Sequence, residues 1–390
     1  MFNPTPYVRK LSWVVVTLVA ITACSKKDVA ADGGTLPDPV TAALNLPETP
    51  YNYAAIVLPN HYNTPDVVNQ INTPANNSIT DWGATLGRVL FYEKKLSINQ
   101  TISCASCHNP LLGFSDSAVL SKGFAGGNTG RHSMSLINAR YYTNGRFFWD
   151  ERANSLETQV LQPIQDAVEM GMRLDSVVAR LQNNNYYPPL FTKAFGDATI
   201  NSDRVSRALA QFVRSIVSYQ SKYDVGRQLA GGGNPGQINF PNFTAEENLG
   251  KALFFSANTG CAACHSTDAF TAPGPRNNGL DATITDAGVG GDLGNPNLRG
   301  AFKAHSLRNI ALTAPYMHDG RFRTLEQVIE HYNSGVQQSP TLSPPLVLPN
   351  NGGVRRLNLT AQEKAAMVAF LRTLTDNTLA TDAKYSNPFK

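Results

Sequence analysis

Two five-residue motifs carry the clearest chemistry in this 390-residue chain. The first reads CASCH over residues 104–108, and the second reads CAACH over residues 261–265. In each motif two thiols lie three positions apart, a spacing that lets both add to the vinyl groups of one porphyrin, and the adjacent imidazole can then ligate the iron. The motifs predict two covalently bound c-type haems, attached through Cys104, Cys107, His108, Cys261, Cys264 and His265.

Two other interpretations of paired cysteines explain these motifs less well. A zinc ribbon uses paired Cys-x-x-Cys sulfurs but gives no reason for a histidine after each pair. A disulfide across so short a loop would be strained, and it would not recur with a following histidine. Covalent haem accounts for all three residue positions of each motif.

The two motifs lie in a tandem internal repeat. Residues 86–92 read LGRVLFY ahead of the first motif, and residues 249–255 read LGKALFF ahead of the second. Further along, residues 150–157 and 319–326 share an Asp-x-Arg followed by Leu-Glu. The repeat predicts two homologous haem domains.

The elements that must position these motifs are predicted to be helices. Apolar residues at helical spacing predict a helix near 203–220. Capping boxes that start at Thr244, Thr324 and Thr360 predict three more helices, and Asn154 is the predicted cap of another. Convincing runs of alternating strand residues are absent from the sequence. We therefore predict a mainly α protein with two tandem cytochrome c-like haem domains.

Domain boundaries are expected at two changes of composition. Residues 24–80 are rich in Pro, Asn, Thr and Ala and are predicted to form a tether, with His61 facing solvent. The N-terminal haem domain is expected over 81–235 and the C-terminal haem domain over 236–390, with the glycine-rich segment 231–236 as the linker.

The N-terminus is typical of an exported lipoprotein. Arg9 and Lys10 precede an apolar stretch over residues 11–23, which predicts a signal peptide over 1–23. Cys24 follows Ile-Thr-Ala and is the one cysteine outside the two motifs, so we expect it to carry lipid. Ordinary cleavage that leaves a free Cys24 is the alternative. Because Ser25 replaces the Asp that favours inner-membrane retention, the expected location is the periplasm, with an anchor in the outer membrane.

Charge and hydropathy exclude two classes of protein. The net charge is +4 and no run of Lys or Arg exists, which argues against a nucleic-acid partner. No stretch of 18 or more apolar residues exists either, so no membrane-spanning helix is predicted.

Both motifs and several longer segments together resemble the bacterial di-haem cytochrome c peroxidase family, which includes MauG. The resemblance runs from about residue 80 to 375 and follows the family order. Its further segments are FWDER at 148–152, VEM at 168–170, SLRN at 306–309 and TAPYMHDG at 313–320.

The resemblance implies different roles for the two haems. The N-terminal haem, with His108 as its proximal ligand, would react with peroxide, and the C-terminal haem, with His265, would receive electrons. Glu169 matches the acid/base glutamate that moves a proton between the peroxide oxygens, and Gln159 matches a distal-pocket glutamine. Trp149 matches the tryptophan between the haems, which can relay electrons and is equally a buried aromatic.

Three positions depart from the typical peroxidase pattern. Residues 121–128 contain no histidine to cap the oxidised N-terminal iron, so we expect that iron to keep an open or water-bound position. In the family, an asparagine binds calcium together with the carbonyls at the positions of Thr313 and Pro315. Here His132 stands at the asparagine position, and because an imidazole is a poor ligand for a hard cation, bound calcium is doubtful. Tyr332 lies where MauG has a tyrosine and typical peroxidases a methionine as the second ligand of the C-terminal iron.

Three functions are compatible with these residues. We expect a peroxidase that reduces hydrogen peroxide to water with electrons from a small exported donor such as cytochrome c. The first alternative is a MauG-like enzyme that oxidises a residue of a partner protein. The second is a non-enzymatic di-haem electron carrier, which would not need Glu169 or Gln159 beside an open iron. A homodimer is left open.

Overall fold

Helices provide almost all of the regular structure in the computed structural model, which describes residues 1–3, 35–350 and 352–390. The first nine α-helices are α1 (Asp38–Ala43), α2 (Pro65–Val68), α3 (Asp81–Tyr92), α4 (Cys104–Cys107), α5 (Leu156–Gln159), α6 (Gln162–Gln165), α7 (Leu174–Gln182), α8 (Tyr187–Phe195) and α9 (Ser202–Ser215). The next six are α10 (Lys222–Leu229), α11 (Ala245–Phe254), α12 (Gly288–Asp292), α13 (Leu325–Glu330), α14 (Ala361–Arg372) and α15 (Thr378–Thr381).

Extended structure is limited, within this described part, to isolated β-bridges such as Asn109 with Ser115 and Ser266 with Thr271. The prediction of a mainly α protein is therefore confirmed. No helix of the described ranges combines the length and hydropathy needed to cross a membrane. Residues 4–23 of the predicted signal peptide and Cys24 lie outside the described residues.

Each repeat builds the same helix pair around a glycine. In the first repeat α3 crosses α9 so closely that a Cβ atom on Gly87 would lie 2.0 Å from the Ala208 carbonyl oxygen. In the second repeat α11 crosses α14, and a Cβ atom on Gly250 would lie 1.8 Å from the Ala366 carbonyl oxygen. The repeated Leu-Gly sequence is thus explained, because only glycine allows the two backbones to approach this closely.

Aromatic residues at equivalent positions fill the core behind each helix pair. The rings of Phe91 and Phe212 lie 5.2 Å apart, and those of Phe254 and Phe370 also lie 5.2 Å apart. Each core therefore buries aromatic pairs supplied by the two crossing helices, which stabilises the crossing through hydrophobic burial.

The two repeats meet through a matched pair of backbone hydrogen bonds. The amide of His132 donates to the carbonyl of His318 at 2.8 Å, and the amide of Lys303 donates to the carbonyl of Trp149, also at 2.8 Å. His132 and Lys303 each stand three residues before a Ser-Leu-x-Asn sequence. These four residues therefore occupy equivalent places in the two repeats.

The predicted tether is wrong for residues 36–80. Leu36, Val40 and Tyr53 are buried in the first core, and Tyr53 donates a hydrogen bond to the carbonyl of Lys384. His61 is buried rather than solvent-facing, with its Nε2 atom 2.8 Å from Asp224 Oδ1. Composition suggested a tether, but scattered apolar and aromatic side chains in this segment supply enough burial to hold it on the protein.

The predicted domain boundary also differs from the observed passage between cores. Ile216 is buried in the first core and Tyr223 in the second, so the chain crosses before α10 and not in the segment 231–236. The C-terminal residues do not stay with the second core, because Tyr385 is buried in the first and donates to the Ser215 carbonyl at 2.7 Å. Leu36–Lys390 forms one compact unit that contains both cores.

Helix starts were predicted well from capping chemistry. The capping boxes at Thr244, Thr324 and Thr360 are all confirmed, each with a side chain that accepts from the backbone amide three residues later. The cap predicted at Asn154 is wrong by one residue, because the hydroxyl of Ser155 accepts from the amide of Thr158. The helix predicted near 203–220 ends at Ser215.

Candidate functional site

The first cysteine–histidine motif lines a large cavity, here called the N-terminal cavity. It is lined by Cys107 and His108 and also by Trp149, Gln159 and Glu169, and it encloses about 1550 Å³ with its open mouth included. The structure therefore brings the predicted peroxide-handling residues of the first repeat to the walls of one space.

The second motif lines a separate space, here called the C-terminal cavity, of about 1440 Å³ with its mouth included. Cys261, Cys264 and His265 lie on its wall together with Met317 and Tyr332. Much of the remaining wall is apolar, as a porphyrin face requires, and includes Phe254, Ile310, Leu325, Val328, Met367 and Leu371.

The hydrogen bonds of His108 leave its other nitrogen ready to ligate iron. Its Nδ1 atom lies 3.0 Å from the Phe114 carbonyl oxygen and 3.2 Å from Ser133 Oγ. The carbonyl can only accept, and the Ser133 hydroxyl already donates to the Cys107 carbonyl at 2.6 Å. Nδ1 therefore carries the proton, and the lone pair lies on Nε2, as in a metal-bound histidine oriented by a carbonyl.

His265 is also neutral, because burial and, to a smaller extent, the neighbouring His305 lower its pKa to about 4. Its Nδ1 atom is buried and has no hydrogen-bond partner in the described part of the chain. A neutral imidazole is the form that binds a metal ion. Both histidines therefore fit the proximal position of a haem.

The four cysteines of the motifs are free thiols beside these histidines. Burial raises the pKa of Cys104 to about 12 and that of Cys261 to about 11, so neither is an exposed reactive thiolate. Within the described residues, no group of three or more His, Cys, Asp or Glu side chains is arranged to hold a metal ion. Free thiols, a neutral histidine and an adjacent cavity fit covalent haem rather than a zinc site.

Glu169 lies in the loop after α6, and its backbone is firmly held. Its amide donates to Asp166 Oδ1 at 3.0 Å, and its carbonyl accepts from the amide of Phe124, also at 3.0 Å. Its half-buried carboxylate has no hydrogen bond or ion pair with any other described residue. Burial raises the pKa of Glu169, as does Asp166, while Arg152 lowers it. A carboxyl group with these properties can accept and return a proton.

The loop expected to lack an iron ligand packs against the segment that carries Glu169. In the loop 121–128 the ring of Phe124 packs against Gly171, where a Cβ atom would lie 2.6 Å from the ring. Gly171 also has a φ of +65°, which favours glycine. The ring of Phe124 therefore packs on the segment that carries Glu169, and it is not part of the wall of the N-terminal cavity.

The ring of His132 is tied to the protein at both nitrogens. Nδ1 lies 3.0 Å from the Ala118 carbonyl oxygen, and Nε2 lies 3.3 Å from Ser115 Oγ. Thr313 and Pro315, whose carbonyls the family resemblance assigns to calcium, line the C-terminal cavity together with His132. Both nitrogens of the His132 ring therefore already have partners in the protein.

Trp149 lies on the walls of both cavities. Its indole Nε1 donates to the carbonyl of His132 at 2.8 Å, and its ring lies 5.5 Å from that of His305 and 6.5 Å from that of His318. The indole is thus fixed between the two spaces. This position is the one expected for a residue that relays electrons.

Tyr332 and its neighbour His331, which could also reach an iron, have different surroundings. Both begin a π-helical turn, His331–Gly335, that follows α13. Tyr332 lines the C-terminal cavity, where burial raises its pKa, whereas His331 is absent from that wall and its Nε2 lies 3.0 Å from the Asn278 carbonyl oxygen. Met317, which sequence analysis did not select, lines the same cavity.

Replacing Tyr332 with Phe is expected to remove the low-spin His/Tyr signal of the C-terminal haem, because the phenyl ring keeps the packing and loses the oxygen ligand. Electron paramagnetic resonance of the ferric protein measures this signal. The matched control is His331→Ala, which should retain it. A signal that survives in Tyr332→Phe and disappears in Met317→Leu would show that Met317 is the ligand.

Comparisons with known proteins agree with this geometry. Residues 82–231 match the family described as di-haem cytochrome c peroxidase. The methylamine utilization protein MauG of Methylorubrum extorquens is 37% identical over 315 residues, which cover 77% of this chain and 80% of that protein. The cytochrome c551 peroxidase of Nitrosomonas europaea is 33% identical over 251 residues, which cover 63% of this chain and 71% of that protein.

A solved structure extends the similarity to three dimensions. The crystal structure of a MauG-like protein associated with microbial copper homeostasis is 31% identical and superposes with a TM-score of 0.70, covering 84% of this chain and 99% of that one. Membership of this group implies two c-type haems, which fit the two cavities and their free thiols. The chain belongs to the di-haem cytochrome c peroxidase and MauG family.

Proposed function

We propose that this protein is a peroxidase that reduces hydrogen peroxide to water with two electrons from a small exported donor such as cytochrome c. The observation that carries the proposal is the N-terminal cavity. This cavity is lined both by His108 and by Glu169, whose carboxylate has no partner among the described residues. A protein that only carries electrons has no need for this arrangement.

The residues of the N-terminal cavity have separate tasks in this reaction. Each peroxide takes up two protons and two electrons and gives two water molecules, and the bound haem supplies the centre at which the O–O bond is reduced. Glu169 accepts a proton from one peroxide oxygen and delivers it to the other, which then leaves as water. The amide of Gln159, on the same wall, can hydrogen-bond peroxide and orient it.

Electron delivery is assigned to the second repeat and Trp149. A haem held by Cys261, Cys264 and His265 would accept electrons from the donor, and the indole of Trp149, which lines both cavities, would shorten the path between the two sites. The hydrogen bond from Nε1 to the carbonyl of His132 holds the indole in one orientation on the wall that the two cavities share.

The second candidate is a MauG-like enzyme that oxidises a residue of a partner protein. It is favoured by Tyr332 on the wall of the C-terminal cavity and by 37% identity to the MauG of Methylorubrum extorquens. A tyrosinate ligand stabilises ferric iron, which lowers the potential relative to methionine and disfavours easy acceptance of electrons from a donor.

Rapid mixing of the as-isolated ferric protein with hydrogen peroxide, followed by steady-state assay with reduced cytochrome c, separates these functions. We expect an immediate spectral reaction without prior reduction and then continuous oxidation of cytochrome c. An immediate reaction with a long-lived oxidised state and no turnover of cytochrome c would support the MauG-like enzyme instead. Two low-spin haems that react only after one-electron reduction would contradict the open iron position.

A further inference from the structure

Lys303 is a buried cation without an acidic partner. The residue is 5% exposed, and its Nζ atom donates to the carbonyl of Arg146 at 2.9 Å. Nζ lies 3.9 Å from the ring centre of Tyr142 and 4.1 Å from that of Phe147. Within residues 35–350 and 352–390, no carboxylate lies within ion-pair distance of Nζ. A buried ammonium group is costly unless it is paired, so the structure leaves this charge uncompensated.

The nearest acid is already engaged with other groups. Glu151 accepts hydrogen bonds from Tyr142 and from Asn144 Nδ2, the latter at 2.5 Å. Burial lowers the pKa of Lys303 to about 7, although the charge of Glu151 opposes part of this shift. The described residues therefore give the ammonium group of Lys303 a carbonyl and two aromatic rings but no carboxylate.

The ammonium group of Lys303 faces the N-terminal cavity, although the residue belongs to the second repeat. Lys303 lines both cavities, but the two rings beside its Nζ atom, Tyr142 and Phe147, line only the N-terminal one. The backbone bond from its amide to the Trp149 carbonyl fixes the start of the side chain at this junction.

The other cations of the N-terminal cavity already have partners. Arg131 pairs with Asp150 at 2.5 Å and with Asp286 at 2.8 Å, and Arg152 pairs with Asp150 at 3.0 Å. In the described part of the cavity wall, Lys303 differs from these two arginines because no acid pairs with it.

We propose that Lys303 binds a carboxylate of the N-terminal haem, one of the two propionates that a porphyrin of this type carries. The second repeat thereby supplies the counter-charge for the haem of the first. A charge-assisted hydrogen bond from an ammonium group to a carboxylate is among the stronger polar contacts in a protein, and it would satisfy both buried charges. The proposal rests on occupancy of the cavity by haem and not on peroxidase activity.

Resonance Raman spectroscopy of the ferric holoprotein tests this contact, because propionate bending bands respond to hydrogen bonding at the carboxylate. We expect Lys303→Met to shift a propionate band of the N-terminal haem and to lower the reduction potential of that haem, since a neighbouring positive charge is lost. Lys303→Arg should keep the potential close to wild type because it keeps the charge. Neither measurement requires turnover, so failure of the proposed function leaves the test intact.

The matched control is Arg276→Met. Arg276 lines only the C-terminal cavity and hydrogen-bonds to the carbonyls of Gly274 and Pro275, without an acid among the described residues. Its loss should leave the N-terminal haem bands unchanged. Unchanged propionate bands in Lys303→Met, with two haems per chain by pyridine haemochrome assay, would overturn the proposal. If Lys303→Met does not accumulate, Lys303→Gln provides the same comparison.

Discussion

Replacing Glu169 with Gln is expected to reduce peroxide turnover by about 10²- to 10⁴-fold, the usual contribution of one acid–base group. Glutamine keeps the size and hydrogen-bonding shape of the side chain but cannot accept a proton and return it. The backbone of Glu169 is held by Asp166 and Phe124 rather than by its side chain, so the fold and both haem spectra should persist. Steady-state oxidation of reduced cytochrome c by peroxide measures the loss.

The pH profile gives an independent check on the role of Glu169. Since burial raises the pKa of this carboxyl group, the rate should fall as the pH decreases through that pKa, where the base becomes protonated. This acidic limb should disappear in Glu169→Gln. The matched control is Asp175→Asn, which removes one carboxylate from an exposed surface pair with Arg173 and should leave turnover unchanged. Full activity in Glu169→Gln would remove this residue from the mechanism.

The features that sequence predicted well are those set by local chemistry. Capping boxes such as Thr360 with Glu363 depend on residues three positions apart, so they can be recognised without knowledge of the fold. Haem attachment is likewise encoded within five residues. The internal repeat predicted two homologous haem domains, and the close approach of Gly87 to Ala208 shows why the repeated sequence contains glycine.

The features that sequence did not predict depend on contacts between distant segments. Tyr53 and Tyr385 both enter the first core from segments outside the predicted N-terminal domain, and their rings lie 6.4 Å apart. Neither segment has a helical or alternating pattern that signals burial. The role of Lys303 could not be predicted either. Its equivalence to His132 follows from the backbone hydrogen bonds between the two repeats, which the sequence does not show.

A buried cluster of charged and polar side chains, near the point where the chain passes from the first core to the second, holds the segment that contains His61. Arg308 is fully buried, and its Nη1 atom lies 2.7 Å from Asp224 Oδ2. The other oxygen of Asp224 lies 2.8 Å from Nε2 of His61, which comes from the segment mistaken for a tether. Asp224 therefore joins three parts of the chain that are remote in sequence: residues near 61, α10 and the Ser-Leu-Arg-Asn segment 306–309.

Replacing Asp224 with Asn is expected to lower the free energy of unfolding by about 3–5 kcal/mol, the usual cost of leaving a buried charge unpaired. Asparagine fits the same space, but Arg308 would keep a full positive charge with no other carboxylate paired to it among the described residues. Chemical denaturation of the holoprotein measures the change. Asp175→Asn, which breaks an exposed ion pair with Arg173, is the control and should unfold as the wild type does.

The destabilisation by Asp224→Asn should depend on pH in a defined direction. Burial by itself would raise the pKa of Asp224, but Arg308 and the hydrogen bond with His61 outweigh it and lower the pKa to about 2. Because the folded-state pKa lies below the usual value, the carboxylate stabilises the fold above about pH 4, and this contribution is lost as the pH falls towards 2. The difference in unfolding free energy between wild type and Asp224→Asn should therefore be largest near neutral pH and shrink on acidification. A difference that stays constant between pH 6 and about pH 2.5 would show that packing around the side chain, and not its charge, holds residues 36–80 against the passage between the two cores.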